Sequence, residues 1–310
     1  MFGLSAQHWP WLVFFALVAM LLTLDLAFVQ RRPSARTLRG AAGWAAFFVG
    51  VGLAFSLFVW AVRGPGPAVE YVTAFLIEES LSVDNLFVFL ALFTYFSVPR
   101  RYQHRVLFWG IVGAIVMRGV FIFAGVALLE RFHWLIYVLG ALLIATGAKL
   151  GLGDETEVHP ERNPIVKLAS RLLPMTREYH GEHFVVREHG RLRFTPLVLV
   201  LIAVETTDVM FAVDSVPAVL AVSRDVFVVY TSNIFAVMGL RALYSVMAGL
   251  LGALRFLRPA LALILVLVGA KMLLAEVYAV PVAVSLLVVA LILAVAAVAS
   301  VLRPGPARDG

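Results

Sequence analysis

Residues 75–89 read Phe75-Leu-Ile-Glu-Glu-Ser-Leu-Ser-Val-Asp-Asn-Leu-Phe-Val-Phe89, and residues 204–218 read Val204-Glu-Thr-Thr-Asp-Val-Met-Phe-Ala-Val-Asp-Ser-Val-Pro-Ala218. In both, acids interrupt a run of side chains that otherwise suit lipid. Glu78 is followed six residues on by Asp84 and Asn85, and Asp208 six residues on by Asp214 and Ser215. If these stretches cross a bilayer, each acid costs on the order of 2.5–3.5 kcal/mol before any pairing. The fold therefore turns on whether the flanking sequence demands a membrane.

It does. The chain has 310 residues, 62% hydrophobic and 14% charged, where soluble domains carry roughly 45–50% apolar and about 25% charged residues. Apolar segments of spanning length recur along the sequence. They predict spans over 9–29, 41–62, 68–96, 104–129, 133–150, 195–220, 227–250, 259–276 and 281–302. The expected fold is all-α, a polytopic helical membrane protein of about nine transmembrane helices, with 1–310 forming a single transmembrane domain. The first span is too long for a cleavable leader, lacks a basic leading segment and runs into Arg31 and Arg32. The chain has no cysteine, so disulfides, thiolate metal sites and cysteine nucleophiles are excluded.

Basic residues alternate between the connecting segments. Eighteen lie after spans one, three, five, seven and nine, against three (Arg63, Arg131, Arg224) in the others. Positive charge marks the cytoplasmic side, so the N-terminus is expected outside, the C-terminus inside, and the protein multi-pass in the inner (plasma) membrane. The net charge of +6 is then a topology signal, and no nucleic-acid partner is expected. The long segment 151–194 reads as a cytoplasmic loop with balanced charge. Phe184–Glu188, His189-Gly190 and Arg191–Thr195 alternate like a small β-hairpin. Glu178, His180, Glu182 and His183 could sense a metal, although water satisfies all four in a solvated loop. This segment is also where a cytoplasmic partner would bind.

Within the spans sit the acids Asp25, Glu78, Glu79, Asp84, Glu205, Asp208 and Asp214 and the bases Arg118, Lys149, Arg241 and Lys271. Intramembrane ionisable groups are functional candidates by default. The competing reading makes them internal ion pairs with Arg118, Arg241 and Lys271. For those three bases, pairing and positioning is the favoured role.

The charged landmarks recur. Glu78, Asp84 and Asn85 superpose on Asp208, Asp214 and Ser215 at one offset of 130 residues. Met117-Arg118-Gly119 matches Leu240-Arg241-Ala242, and Gly147-Ala148-Lys149-Leu150 matches Gly269-Ala270-Lys271-Met272. The loop charges orient the two copies oppositely. The sequence thus predicts inverted three-helix repeats, about 68–150 and 195–276, as secondary transporters use. Glu205 matches Phe75 and Glu79 matches Val209, so these two acids break the symmetry.

The expected ligands are Glu78, Asp84, Asn85, Glu205, Asp208, Asp214 and Ser215. These are hard oxygen donors suited to Mg²⁺, Ca²⁺ or Mn²⁺. Met210 adds a thioether that could favour manganese. Residues six apart on a helix differ by about 240° and about 9 Å, so convergence needs an interrupted helix or a second one. Pro217 predicts an interruption that frees the carbonyl of Val213. Acids outnumber bases, which favours a cation as cargo over an oxyanion, with protons as counter-ions. No resident cofactor is expected. No His-Glu-x-x-His pattern or nucleophile–base pair is present, so no enzyme is expected.

The two quoted segments closely resemble the signature segments of the TerC/Alx family, within the LysE-like group of exporters. The likeness spans nearly the whole chain, including the span number and the long middle loop. It implies a nine-span inner-membrane protein, manganese export in the Alx-type branch and tellurium resistance as the namesake trait of others. The family's acidic positions fall on Glu78, Asp84, Glu205, Asp208 and Asp214, with Asn85 and Ser215 beside them and Glu79 outside the set. The expected function is export of a divalent metal cation, manganese by that resemblance. The alternative is a non-transporting membrane scaffold of a tellurium/metal-stress resistance complex.

Overall fold

The computed structural model describes residues 8–29, 38–132, 134–152, 163–188, 190–247, 256–274 and 281–302. Within these, the side chains at 27–29, 38, 39, 83, 84, 87, 214, 247, 257, 258, 282 and 301 lie outside the description. The long helices are α1 (Trp9–Val29), α2 (Leu38–Arg63), α3 (Pro65–Tyr95), α4 (Arg100–Arg131) and α5 (Leu135–Leu152). A short α6 (Pro164–Leu172) and a two-stranded hairpin, β1 (Val185–Glu188) with β2 (Arg191–Phe194), follow. Then come α7 (Pro196–Leu220), α8 (Val226–Met247), α9 (Leu257–Leu274) and α10 (Val282–Leu302). The all-α membrane architecture expected from hydropathy is present, because backbone groups in hydrocarbon must be satisfied within their own segment.

Seven helices (α1, α2, α4, α5, α7, α8, α10) are long and apolar enough to cross a membrane. In α3 every 18-residue stretch carries at least three acids, and the apolar part of α9, Pro259–Leu274, is shorter. These two account for the difference from the nine predicted spans.

Two expectations about α7 are corrected. The helix runs unbroken through Pro217, which stands in its last turn, and the amide of Ala221 closes back onto the Pro217 carbonyl. A proline so near the C-terminus leaves only three residues of helix beyond it, so no interruption at mid-span follows. Met210 is 67% exposed and points outward from the bundle, so its thioether does not line a buried site.

α3 packs on α8 and α2, α4 on α7 and α8, and α5 along α9. An aromatic cluster ties α1, α2, α3 and α8 together: Phe14, Phe55, Tyr71, Phe227 and Phe235 are all buried, with Phe55 and Phe235 rings 4.7 Å apart. The Tyr71 hydroxyl donates to the Gly52 carbonyl at 2.9 Å, which satisfies the one polar atom of that ring.

The α5–α9 seam rests on glycines. A Cβ at Gly269 would stand 2.6 Å from the Gly140 carbonyl oxygen, and one at Gly140 3.0 Å from the Gly269 carbonyl. At Gly147 a Cβ would stand 2.7 Å from the Ala262 carbonyl. Small residues let backbones approach, which is how helices associate in lipid. Gly269→Ala is therefore expected to destabilise by about 1–3 kcal/mol, the usual scale of overpacking. Thermal denaturation of the detergent-solubilised protein should register it as a lowered midpoint.

The hairpin predicted from alternation forms, with Val185 opposite Phe194 and Glu188 opposite Arg191; His189 is outside the described residues. Helix α6, unlike the hairpin, was not anticipated. Asn163 starts it, its side chain accepting from the amides of Ile165 (2.9 Å) and Val166 (3.3 Å). Its Nδ2 donates to Thr206 Oγ1 of α7 at 2.8 Å. The Asn-Pro start and the apolar Ile165, Val166, Leu168 and Leu172 were the available signal. The segment also docks on the α3–α4 turn. Tyr179 donates to the Phe96 carbonyl at 2.6 Å, with burial raising its phenol pKa, and Arg105 pairs with Glu182 at 3.2 Å. Among the described residues no three His, Asp or Glu gather as a metal site, so Glu178, His180, Glu182 and His183 are not drawn together.

Candidate functional site

Helical spacing puts Glu78, Ser82 and Asn85 on one face of α3, and Asp208 and Ser215 on one face of α7. Into the space between reaches Arg118 of α4, which is fully buried. Its Nε and Nη2 donate to the two oxygens of Asp208 at 3.3 and 3.1 Å. Its Nη1 donates to Glu78 Oε1 and to Asn233 Oδ1 of α8 at 2.9 Å. Four helices thus meet on one guanidinium, whose planar fork suits a bidentate carboxylate. Glu78 and Asp208, the two acids that the 130-residue offset superposes, are held by the same group.

Several buried atoms on these helices have no hydrogen-bond partner among the described residues. They are Glu78 Oε2, Ser82 Oγ, Asn85 Nδ2, Ser215 Oγ and Asn233 Nδ2. Native interiors satisfy most such groups, so these atoms are candidates to hold water or a ligand. Asn85 and Ser215 belong to the predicted set. Ser82 and Asn233 were missed; the signal for Asn233 was the polar run Thr231-Ser232-Asn233 inside an apolar span, all three fully buried.

Glu205 is half-buried on α7, one turn before Asp208. Its carboxylate abuts Gly113 of α4, where a Cβ would collide with it. Glycine there is what admits the carboxylate. The side chains of Asp84 and Asp214 lie outside the described residues, although both positions are helical. Glu79, left outside the predicted set, has both carboxylate oxygens buried without a hydrogen-bond partner among the described residues. Its oxygens lie near Gly239 of α8.

The other two bases behave differently. Arg241 pairs with Asp25 Oδ1 of α1 and donates to the Asp25 carbonyl at 3.2 Å; both residues are buried. The arginines that the sequence aligns therefore have unlike partners: Arg118 holds one acid from each motif, and Arg241 an acid from a flanking helix. Lys271 donates to Ser285 of α10 at 2.9 Å. A small, mostly apolar recess lined by Gly110, Ala114, Val204, Asp208, Val237 and Arg241 lies between the two arginine centres.

These features define a polytopic helical membrane protein with a buried charged centre shared by four helices. The model of the integral membrane protein TerC family matches residues 63–305, and the chain belongs to that family. It is 45% identical over 301 residues to an uncharacterized membrane protein, STKORF319, of Myxococcus xanthus, covering 96% of this chain and 94% of the relative. An Escherichia coli (strain K12) protein provisionally named membrane-bound redox modulator Alx is 46% identical over 289 residues, 90% of each chain. An uncharacterized membrane protein of Rickettsia felis is 37% identical over 293 residues, 94% of this chain and 97% of its own. No solved structure matches the chain.

Proposed function

We propose that the chain exports a divalent metal cation, with manganese as the foremost cargo, through the acidic centre between α3 and α7. The observation that carries this is the meeting of Glu78 and Asp208 on one buried guanidinium. Two acids from two copies of a motif, drawn to one intramembrane point, form what an inverted-repeat transporter needs. The packing supports the repeat: α3 lies on α8 and α4 on α7, and exchanging the triplets maps one pairing onto the other. The oxygen-rich donor set suits a hard divalent ion, with Asp84, Asn85, Glu205, Asp214 and Ser215 as the remaining ligands. Protons are the counter-ions. The N-terminus is outside the inner membrane and the C-terminus inside. The chain works as a carrier, with no reaction of its own.

Everted vesicles bearing the protein are expected to accumulate manganese, and Asp84→Ala or Asp214→Ala to abolish it. Normal uptake by both variants would overturn the site assignment.

The contacts of residues 163–188 and 190–195 with α7 and the α3–α4 turn favour a second reading, a non-transporting scaffold of a tellurium/metal-stress resistance complex. It predicts soluble partners that co-purify through this segment and no flux in proteoliposomes. The redox role in the name of the Escherichia coli relative has no cysteine in this chain to act through.

A further inference from the structure

We infer that Arg118 is a built-in occupant of the cation site, and that the cargo binds by displacing it from Glu78, Asp208 and Asn233. The inference rests on the divalent-cation reading above and adds Asn233 to the ligands. The groups that hold the guanidinium offer Glu78 Oε1, both oxygens of Asp208 and Asn233 Oδ1. These are two carboxylates and an amide oxygen, the donors a hard divalent ion takes. Charge favours entry of a cation: two carboxylates around one guanidinium leave one net negative charge in a medium that penalises it. The hold is also incomplete, since Glu78 Oε2 and Asn233 Nδ2 are buried with no hydrogen-bond partner among the described residues.

A small recess beside Asp208 gives the displaced side chain a direction of travel. Gly110, Ala114 and Arg118 lie four residues apart on one face of α4. Helical side chains lean toward the N-terminus of their helix, so Arg118 leans over Ala114 and Gly110. Those two residues line the recess that opens beside Asp208. The smallness of both leaves the path clear, and Asp208 borders the centre and the recess alike. Arg118 swings along its own helix face, releasing Glu78 and Asn233 first and Asp208 last. Arg241, which also lines the recess, is held by Asp25 and repels the guanidinium, which therefore returns to Glu78 and Asp208 once the cargo leaves.

The test measures Mn²⁺ binding to purified full-length protein, by titration calorimetry and by the Mn²⁺-induced rise in melting temperature, which reports binding to the folded state. Arg118→Ala removes the competitor, and its Mn²⁺ affinity is expected to exceed wild type at least tenfold, with a larger thermal shift. Ala114→Leu fills the recess and is expected to weaken Mn²⁺ binding at least tenfold in a protein that still carries every ligand. Arg118→Ala affinity equal to or below wild type overturns the inference. If Arg118→Ala does not fold, unchanged affinity in Ala114→Leu overturns it and a tenfold loss supports it. Wild-type protein that transports manganese while both variants bind as wild type leaves the transport reading standing and removes only this inference. Wild-type protein that neither binds nor moves Mn²⁺, Mg²⁺ or Ca²⁺ removes both.

Discussion

Asp25→Ala is expected to destabilise the protein by about 3–5 kcal/mol, the usual result of stripping one partner from a buried ion pair. Asp25 supplies Arg241 with both a carboxylate oxygen and a backbone carbonyl, and no other acid pairs with Arg241 among the described residues. Its Nη1 already has no hydrogen-bond partner among them, so little is in reserve. The guanidinium stays charged, because arginine does not give up its proton in proteins. Helix α1 would then lose its polar anchor to the bundle and keep apolar contacts such as Phe14 against Phe235 and the buried Val18 and Leu21. Replacing both partners with apolar residues of similar volume, Asp25→Leu with Arg241→Met, should recover most of the loss, since no charge is then stranded. Unfolding in mixed detergent, read by circular dichroism on the two single variants and the double, measures this. A double variant as unstable as either single one would show that the pair matters through shape.

Asp208→Ala is expected to do something different: a loss of about 2–5 kcal/mol together with loss of manganese uptake in everted vesicles. The alanine strands two guanidinium N–H groups of Arg118 in a fully buried place, at about 1–3 kcal/mol each. Glu78 still balances the charge, so the cost comes from unmade hydrogen bonds. Asp208→Asn retains one acceptor and removes the negative charge. It should recover part of the stability and none of the uptake. Uptake in Asp208→Asn at the wild-type level would place the cargo elsewhere.

Much of the architecture was legible because a bilayer imposes few options. An apolar run of about 20 residues has to be a helix, and the predicted spans fall within a few residues of the observed helices. The hairpin was legible from its alternation on either side of His189-Gly190. Other features depend on rotation about a helix axis, which a list of intramembrane charges does not contain. Met210 sits two residues from Asp208, yet about 200° around the helix it faces outward. Arg118 was assigned a supporting role, and only the fold reveals that it joins the two motifs. Asn233 was passed over because an amide in a span carries no charge to count. Pro217 was misread because its effect depends on distance from the helix end, and only three residues of α7 follow it.

The contact of α5 with α9 limits how this protein can change over time. In most cores a larger side chain can be accommodated by trimming its neighbour. At Gly269 and Gly140 the neighbour is a peptide carbonyl, present in every residue type, and no second substitution can shrink it. The seam therefore has no compensatory route. Helices α5 and α9 are free to vary on their outer faces, but along this line each holds the other to glycine.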